Sequence, residues 1–279
     1  MLWNAYNGAV NLGRTKMYYV SFGYGSKPLI ILPGLSDGLV TVKGKAALLA
    51  KRYERFFNNY TVFMFSRKNY MPDNYSIRDM AYDQARAMDI LGIESAYVMG
   101  VSQGGMIAQY LAIDNPEKVD KLVLAVTAAR VNETIEANVK RWIAFAKQGR
   151  HKELMIDTAE KGYSRDYLAK YRKIYPIIGL IGKPSDYNRF LINASAILKF
   201  SAVQYLNLIT CPTLIIAGED DNTVGVEASY ELHDRIKGSQ IHVYRGLGHA
   251  AYQEAEDFNE LVYEFLEAWV VRQVSMGLE

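Results

Sequence analysis

A serine stands between two glycines in the stretch Gly100-Val101-Ser102-Gln103-Gly104, directly after a short apolar run. From residue 103 onward apolar residues recur at helical spacing, so the pattern predicts a strand, a sharp turn and a helix. Glycines leave room where strand and helix crowd such a turn. The turn presents the serine hydroxyl to a pocket, which is the placement that nucleophilic catalysis requires. For the pentapeptide taken alone, a glycine-rich connection with a solvated serine is the alternative.

A nucleophilic serine needs a base to accept its proton, and the chain has four histidines. His151 lies in a helical region, His233 on a helical pattern, and His242 inside a predicted strand. His249 follows Arg245-Gly246-Leu247-Gly248, a glycine-bearing loop after that strand. Because loops at the carboxyl ends of parallel strands form the sites of α/β sheets, we predict that His249 is the base.

Three carboxylates, Glu219, Asp220 and Asp221, follow the apolar run 213–217. A carboxylate there could orient the base and stabilise its charged form. We predict that it is Asp221, which lies three residues beyond Gly218 and can turn back toward the next loop; Asp220 is the alternative. Adjacent acids can also bind a metal, but no His or Cys cluster accompanies them, so no metal is expected. A serine nucleophile with a His base implies no organic cofactor either.

Two backbone N–H groups are predicted to stabilise the negative oxygen that forms during acyl transfer. The N–H of Gln103 begins the helix after the serine, where free N–H groups and the helix dipole favour negative charge. The second donor should come from the loop Pro33-Gly34-Leu35-Ser36-Asp37-Gly38, after the apolar run 29–32. Gly34 permits a tight turn that points the Leu35 N–H into the pocket.

These residues require a sheet to position them, and apolar β-branched runs alternate with helical patterns along the chain. The predicted strands cover residues 17–22, 29–32, 61–65, 96–101, 122–127, 213–217 and 241–244. The predicted helices cover residues 43–57, 77–91, 104–114, 226–236 and 255–274. This alternation predicts an α/β fold: a mostly parallel twisted sheet of about eight strands with helices on both faces. The first run is expected in an antiparallel edge.

Residues 131–205 interrupt the alternation and show helical patterns alone, so we predict a helical lid inserted between residues 1–130 and 206–279. The segment carries 13 Lys and Arg against 7 Asp and Glu. This is expected to be a solvated surface, with a basic pocket entrance for anionic substrates as the alternative. Tyrosines recur there every four residues: Tyr163, Tyr167, Tyr171 and Tyr175. On one helix they would form a stripe that packs on the body, or a wall whose first three members contact substrate.

The 279 residues are 50% hydrophobic and carry a net charge of +2, which suits an α/β unit with a sizeable core. The small net charge predicts no nucleic-acid partner. No apolar run approaches the length of a membrane span, so no membrane contact is expected. The first residues lack a secretory signal pattern and Cys211 is the single cysteine, so a cytoplasmic protein is expected. The sequence leaves the oligomeric state open.

Five segments together resemble the α/β-hydrolase superfamily in its lidded form: LIILPGLSDG, YVMGVSQGGMIAQYLA, NPEKVDKLVLA, CPTLIIAGEDDNTV and GLGHAAYQE. The resemblance runs from about residue 29 to the last predicted helix, and the insertion is its least specific part. It implies that Ser102 is the nucleophile, Asp221 the acid and His249 the base. It also implies that the N–H groups of Leu35 and Gln103 are the oxyanion donors. It also implies a substrate pocket between the sheet and the lid.

The residues and the resemblance together predict a serine hydrolase acting on a small to medium carboxylic ester through an acyl-enzyme. Hydrolysis of a carbon–carbon bond in a diketone-like substrate uses the same groups and is the first alternative. Lactone, thioester and amide hydrolysis and perhydrolysis also fit. A non-catalytic small-molecule receptor on the same fold is the alternative from another class of protein.

Overall fold

The computed structural model describes residues 2–268, and within them eight strands form one sheet. In chain order they are β1 Tyr6–Leu12, β2 Thr15–Gly23, β3 Lys27–Leu32, β4 Tyr60–Lys68, β5 Ala96–Val101, β6 Val119–Ala125, β7 Thr213–Gly218 and β8 Gln240–Tyr244. Across the sheet the order is β1-β2-β4-β3-β5-β6-β7-β8. β2 pairs antiparallel with β1 and β4, and the other neighbours are parallel. The predicted mostly parallel sheet is confirmed.

Apolar runs form the centre of this sheet because both of its faces are covered. In β3, Leu29 and Ile31 pack into one apolar cluster, while Ile30 and Leu32 pack into a second. Successive side chains of a strand point to opposite faces, so the two clusters lie on opposite sides of the sheet. All six residues of β7 are likewise buried. The sheet therefore provides a rigid base for the loops at its carboxyl edge.

The prediction missed β1, which lies at the antiparallel edge of the sheet. Only Val10 of its seven residues is buried. Gly13, with φ of 65°, makes the tight turn into β2. An edge strand with one buried residue has no apolar periodicity, so the pattern that identified the other strands is absent here.

Eleven α-helices connect or cover the strands within the described residues. They are α1 Ala46–Ala50, α2 Ile77–Ile90, α3 Gln103–Asp114, α4 Glu133–Lys147, α5 His151–Gly162, α6 Arg165–Tyr171, α7 Tyr175–Ile178, α8 Asn188–Ile197, α9 Glu227–Arg235, α10 Ala251–Glu254 and α11 Phe258–Glu267. The predicted helix 255–274 is seen as α11, and its part beyond Ala268 lies outside the described residues. No helix of residues 2–268 is both long and apolar enough to cross a bilayer.

Five of these helices, α4 to α8, lie between β6 and β7, and residues 131–205 are called the helical insertion below. An antiparallel bridge between Arg130 and Ser201 brings its two ends together. The division of the chain at residues 130 and 206 into a body and a lid remains a prediction.

The four tyrosines of the insertion do not share one helix. Tyr163 follows α5, Tyr167 and Tyr171 lie on α6, and Tyr175 begins α7. Ser164 starts α6, because its hydroxyl accepts a hydrogen bond from the Tyr167 N–H at 3.2 Å. The expectation that one continuous helix carries all four tyrosines is therefore wrong, since α6 and α7 begin within the series.

Candidate active site

Ser102 lies on the turn between β5 and α3 and has φ of 54° and ψ of −121°. This region of backbone space is strained for any residue with a side chain and costs on the order of 1–3 kcal/mol. Surrounding hydrogen bonds hold the turn. The Ser102 N–H donates to the Ala125 carbonyl at 2.9 Å, and the Thr127 hydroxyl donates to the Ser102 carbonyl at 2.7 Å. The strain serves to lift the hydroxyl toward the cavity described below.

The glycines around Ser102 are required by close backbone contacts. A Cβ on Gly100 would lie 2.5 Å from the Gly104 carbonyl oxygen, and one on Gly104 would lie 1.9 Å from the Leu32 carbonyl oxygen. Both distances are shorter than any van der Waals contact between these atoms. The turn therefore packs against the backbone of β3 without space for a methyl group.

We expect Gly104→Ala to lower the free energy of unfolding by about 3 kcal/mol or more, because the methyl group meets main-chain rather than flexible atoms. Gly162→Ala is the matched control, since a Cβ there meets nothing within 4 Å. It should remain within about 1 kcal/mol of the wild type. Urea unfolding followed by circular dichroism measures both, and equal losses in the two variants would contradict the packing argument.

His249 lies in the loop between β8 and α10, and its imidazole reaches both predicted partners. Its Nε2 lies 3.0 Å from the Ser102 hydroxyl oxygen, and its Nδ1 lies 2.8 Å from Asp221 Oδ2. A carboxylate only accepts hydrogen bonds, so the Nδ1 carries the proton and Nε2 is free to accept from the hydroxyl. The structure thus brings together three side chains that are far apart in the sequence.

Backbone hydrogen bonds fix the Asp221 carboxylate in place after β7. Its Oδ1 accepts the N–H groups of Thr223 and Val224 at 2.8 and 2.9 Å, which leaves Oδ2 directed at His249. The Asp221 side chain is 2% exposed, whereas Glu219 and Asp220 are exposed residues. The alternative acid, Asp220, therefore does not reach the imidazole.

The other three histidines have different surroundings. The Nε2 of His151 lies 2.9 Å from the Ile181 carbonyl oxygen. The Nδ1 of His233 lies 3.0 Å from the Ser239 hydroxyl oxygen, and His242 packs against a tyrosine within β8. None of them contacts Ser102.

Both predicted oxyanion donors stand at the first position of a helical turn. Gln103 begins α3, and Leu35 begins the 3₁₀ helix Leu35–Gly38. The first N–H groups of a helix have no acceptor inside it, so these two can bind an anion. Gly34 brings the second turn close to the serine, because a Cβ on Gly34 would lie 3.3 Å from the Ser102 Cβ.

The Ser102 hydroxyl and His249 face a cavity of about 180 Å³. Its lining comes from the loops of the body and from helices of the insertion: Gly34, Leu35, Ser36, Leu39, Ser102, Met106, Ile135, Val139, Trp142, Leu154, Met155, Thr158, Phe190, Ile197, Thr223, Val224, His249 and Tyr252. No Lys, Arg, Asp or Glu of the described chain is among them. The basic residues of the insertion therefore offer no partner to an anionic group inside this cavity.

The three tyrosines predicted to contact substrate do not line this cavity. Tyr163, Tyr167 and Tyr171 stack on one another instead, with ring centroids 4.4 and 4.0 Å apart. The Tyr163 hydroxyl donates to the Gln253 side chain at 2.6 Å, which ties the stack to the body. The packing interpretation agrees with these contacts, and the substrate-binding interpretation does not.

The helical insertion is hydrogen-bonded to each loop of the site. Asn138 donates to the Thr223 carbonyl at 3.1 Å, beside Asp221. The Ala250 N–H, next to His249, donates to the Gly162 carbonyl at 2.8 Å. Arg189 donates to the Asp37 carboxylate at 2.7 Å, in the turn that begins with Leu35. The position of the insertion is thus coupled to all three loops.

The sequence reasoning missed the apolar lining residues and a buried arginine, Arg67. Trp142 and its neighbours were assigned to the insertion without a role, because helical periodicity does not show which face covers a cavity. Arg67 and Lys68 are the two cations that end the strand β4, directly after the stretch TVFMFS, and of the two Arg67 is buried. A charged residue at the end of a buried strand is the signal that could have identified it.

Comparison with known proteins finds hydrolases among the proteins that this chain resembles. A family model described as alpha/beta hydrolase fold matches residues 27–152. A 2-hydroxy-6-oxononadienedioate/2-hydroxy-6-oxononatrienedioate hydrolase from a Pseudomonas species is 28% identical over 200 residues, covering 68% of this chain and 70% of that protein. The enol-lactonase from Burkholderia xenovorans LB400 has a TM-score of 0.77 at 21% identity, covering 94% of this chain and 100% of that one. MGS-M2, an alpha/beta hydrolase enzyme from a Medee basin deep-sea metagenome library, has a TM-score of 0.82 at 19% identity, covering 96% and 100%.

The sheet order and the serine turn between β5 and α3 define a hydrolase of the α/β type. The family model and the names of the relatives agree with this class of enzyme. The chain has the α/β-hydrolase fold, and the proteins it is similar to are hydrolases.

Proposed function

We propose that this hydrolase cleaves a small to medium carboxylic ester, with Ser102 as nucleophile, His249 as general base and Asp221 as the orienting acid. The observation that supports this most directly is the continuous contact from Asp221 Oδ2 to His249 Nδ1 at 2.8 Å and from His249 Nε2 to the Ser102 hydroxyl at 3.0 Å. The substrate is a small molecule, because the cavity beside Ser102 is about 180 Å³. A cytoplasmic location is part of the same proposal.

The reaction begins when Ser102 Oγ forms a bond to the acyl carbon and transfers its proton to His249 Nε2. The carbonyl oxygen becomes an oxyanion held by the N–H groups of Leu35 and Gln103. When the C–O bond to the alcohol breaks, His249 returns the proton to the leaving oxygen, and an acyl-Ser102 ester remains. Water then attacks that ester, giving a proton to His249, and Ser102 recovers it as the carboxylic acid departs.

The lining of the cavity favours a neutral, apolar acyl group. Its larger side chains include Leu39, Met106, Trp142 and Phe190, and within the described residues no cation lies among them. An ionised carboxylate buried there would lose its hydration without gaining a partner. The Pseudomonas relative is named for a dioate, which carries two such groups. Because of that relative, hydrolysis of a carbon–carbon bond is the second candidate function. The apolar lining would then require a substrate that carries less negative charge than a dioate.

Two p-nitrophenyl esters with four-carbon acyl groups test this proposal. We expect kcat/KM for the butyrate to exceed that for the hemisuccinate by at least about 10-fold, because only the second carries a buried charge. Release of p-nitrophenol measures both at the same enzyme concentration, with hydrolysis in buffer alone as the blank. Equal values would contradict the neutral acyl site. If no ester is turned over and the Ser102→Ala variant still binds a ligand, the protein is instead a non-catalytic small-molecule receptor.

A further inference from the structure

Arg67, the penultimate residue of β4, is a fully buried cation that the proposed reaction does not use directly. Its side chain is 1% exposed. Burial of a guanidinium removes its hydration, and a well-packed apolar residue often stabilises a protein as well or better. Burial lowers the pKa of Arg67 to about 10, so the group remains charged at neutral pH. Its contacts therefore need an explanation other than stability alone.

The Arg67 guanidinium bonds to both segments that carry the oxyanion donors. Its Nη1 donates to the Gly34 carbonyl at 3.2 Å. Its Nη2 donates to the Gln103 side-chain oxygen, Oε1, at 2.9 Å. The rigid planar geometry of the guanidinium sets the distance between these two acceptors.

The bond to Gly34 acts on the Leu35 N–H through the peptide plane. The Gly34 carbonyl and the Leu35 N–H belong to the same planar trans unit, so they point in opposite directions. Arg67 holds this carbonyl together with the Asp37 N–H, which donates to it at 3.2 Å, and the two donors fix the Leu35 N–H on the other side of the peptide. Because the Gly34 carbonyl is directed at the Arg67 guanidinium, the Leu35 N–H points away from Arg67.

The Gln103 side chain is held at both ends. Its Oε1 accepts from Arg67, and its Nε2 donates to the Asn193 carbonyl of α8 at 2.8 Å. Gln103 is completely buried. These two hydrogen bonds hold the Gln103 side chain in one orientation. They also restrict the movement of its backbone N–H at the start of α3.

Asp37 joins this group to the helical insertion. Its Oδ2 accepts the Arg67 backbone N–H at 2.9 Å and the Arg189 Nη2 at 2.7 Å. The Arg67 Nη1 lies 3.8 Å from the same oxygen. Two guanidinium groups thus share one buried carboxylate, which leaves net positive charge beside the turn that begins with Leu35.

We propose that Arg67 is a positioning residue of the oxyanion hole, which orients the Gly34–Leu35 peptide and Gln103 so that both N–H groups converge on the substrate oxyanion. This inference rests on the proposed function. The donors bind the transition state more tightly than the ester, so loss of their alignment lowers kcat and leaves KM nearly unchanged.

The test compares Arg67→Met and Arg67→Lys with Lys121→Met. Lys121 is also a buried cation, but it donates to the Phe265 and Leu266 carbonyls at 3.0 and 2.9 Å, at the end of α11. Its removal reports the effect of destabilisation alone. We expect kcat for p-nitrophenyl butyrate to fall about 10- to 100-fold in Arg67→Met. Arg67→Lys should recover little of it, because an ammonium keeps the charge but lacks the planar pair of donors. Lys121→Met should keep kcat within about twofold.

A second readout separates positioning from a general loss of structure. Butylboronic acid adds to the nucleophilic serine and forms a tetrahedral anion that occupies the oxyanion hole. Its affinity should fall in Arg67→Met by about the same factor as kcat, while KM changes by less than about threefold. A folded Arg67→Met variant with unchanged kcat and boronate affinity would overturn the inference.

If Arg67→Met does not fold, Gln103→Ala tests whether Arg67 positions the oxyanion donors. It keeps the backbone donor and removes one of the two groups that Arg67 holds, both of which the proposal requires. We expect kcat to fall about 10-fold with KM nearly constant, and unchanged kcat would again reject the positioning role. The proposed function is tested separately in the wild type. If boronate does not inhibit it, or if Ser102→Ala retains turnover, the proposed function fails rather than the role of Arg67.

Discussion

Replacement of Ser102 by alanine is expected to lower kcat/KM for p-nitrophenyl butyrate by about 10⁵-fold, because no other group can form the acyl-enzyme. The residual rate would come from the oxyanion donors and from substrate binding. Stopped assays at high enzyme concentration can measure so small a rate. The variant keeps the strained backbone of the turn, so its free energy of unfolding should stay close to that of the wild type.

Ser195→Ala is the matched control for this substitution. Ser195 is an exposed residue of α8 and does not line the cavity beside Ser102. Its loss should leave kcat/KM within about twofold, since it contacts no reacting group. Labelling by a fluorophosphonate probe should disappear in Ser102→Ala and persist in Ser195→Ala. Labelling that survives at full strength without Ser102 would show that another residue is the nucleophile.

His249→Ala is expected to cost nearly as much as Ser102→Ala, because the hydroxyl then has no base within reach. The two side chains act as one unit through their contact at 3.0 Å. The double variant should therefore be no slower than either single variant, rather than slower by the product of the two factors. Steady-state rates of the three variants measure this coupling directly.

His233→Ala provides the control, since its ring contacts the Ser239 hydroxyl and does not line the cavity beside Ser102. We expect its kcat/KM to change by less than about twofold. Multiplicative losses in the Ser102 and His249 variants would mean that the two residues act independently. That result would rule out the proton transfer on which the proposed reaction depends.

Local patterns predicted the parts of the fold that depend on neighbouring residues. The turn at Ser102 was identified because the strand, the glycines and the helix all lie within a few positions of it. The loops that bear Asp221 and His249 were identified in the same way, from the apolar strands that precede them. The meeting of these loops followed from a general property of parallel sheets, whose carboxyl ends share one edge.

Contacts between distant residues could not be predicted from these patterns. Arg67 acts on residues 34 and 103, and no periodicity in the sequence connects those positions. The tyrosine spacing suggested one helix, but the hydroxyl of Ser164 starts a new helix inside it. Strand β1 was missed because an edge strand needs little apolar surface. The lining of the cavity depends on how α4, α5 and α8 are rotated, which spacing alone does not determine.

The hydrogen bonds from the insertion to the loops beside Asp221, His249 and Leu35 have a consequence for protein engineering. A chimera that received residues 131–205 from a relative would exchange more than the shape of its substrate pocket. It would also lose Arg189, which donates to Asp37, and the Gly162 carbonyl, which accepts from the Ala250 N–H, unless the new segment supplied equivalent groups. A transplanted segment should therefore keep side-chain donors for Asp37 and for the Thr223 carbonyl, and a main-chain carbonyl where Gly162 accepts from Ala250.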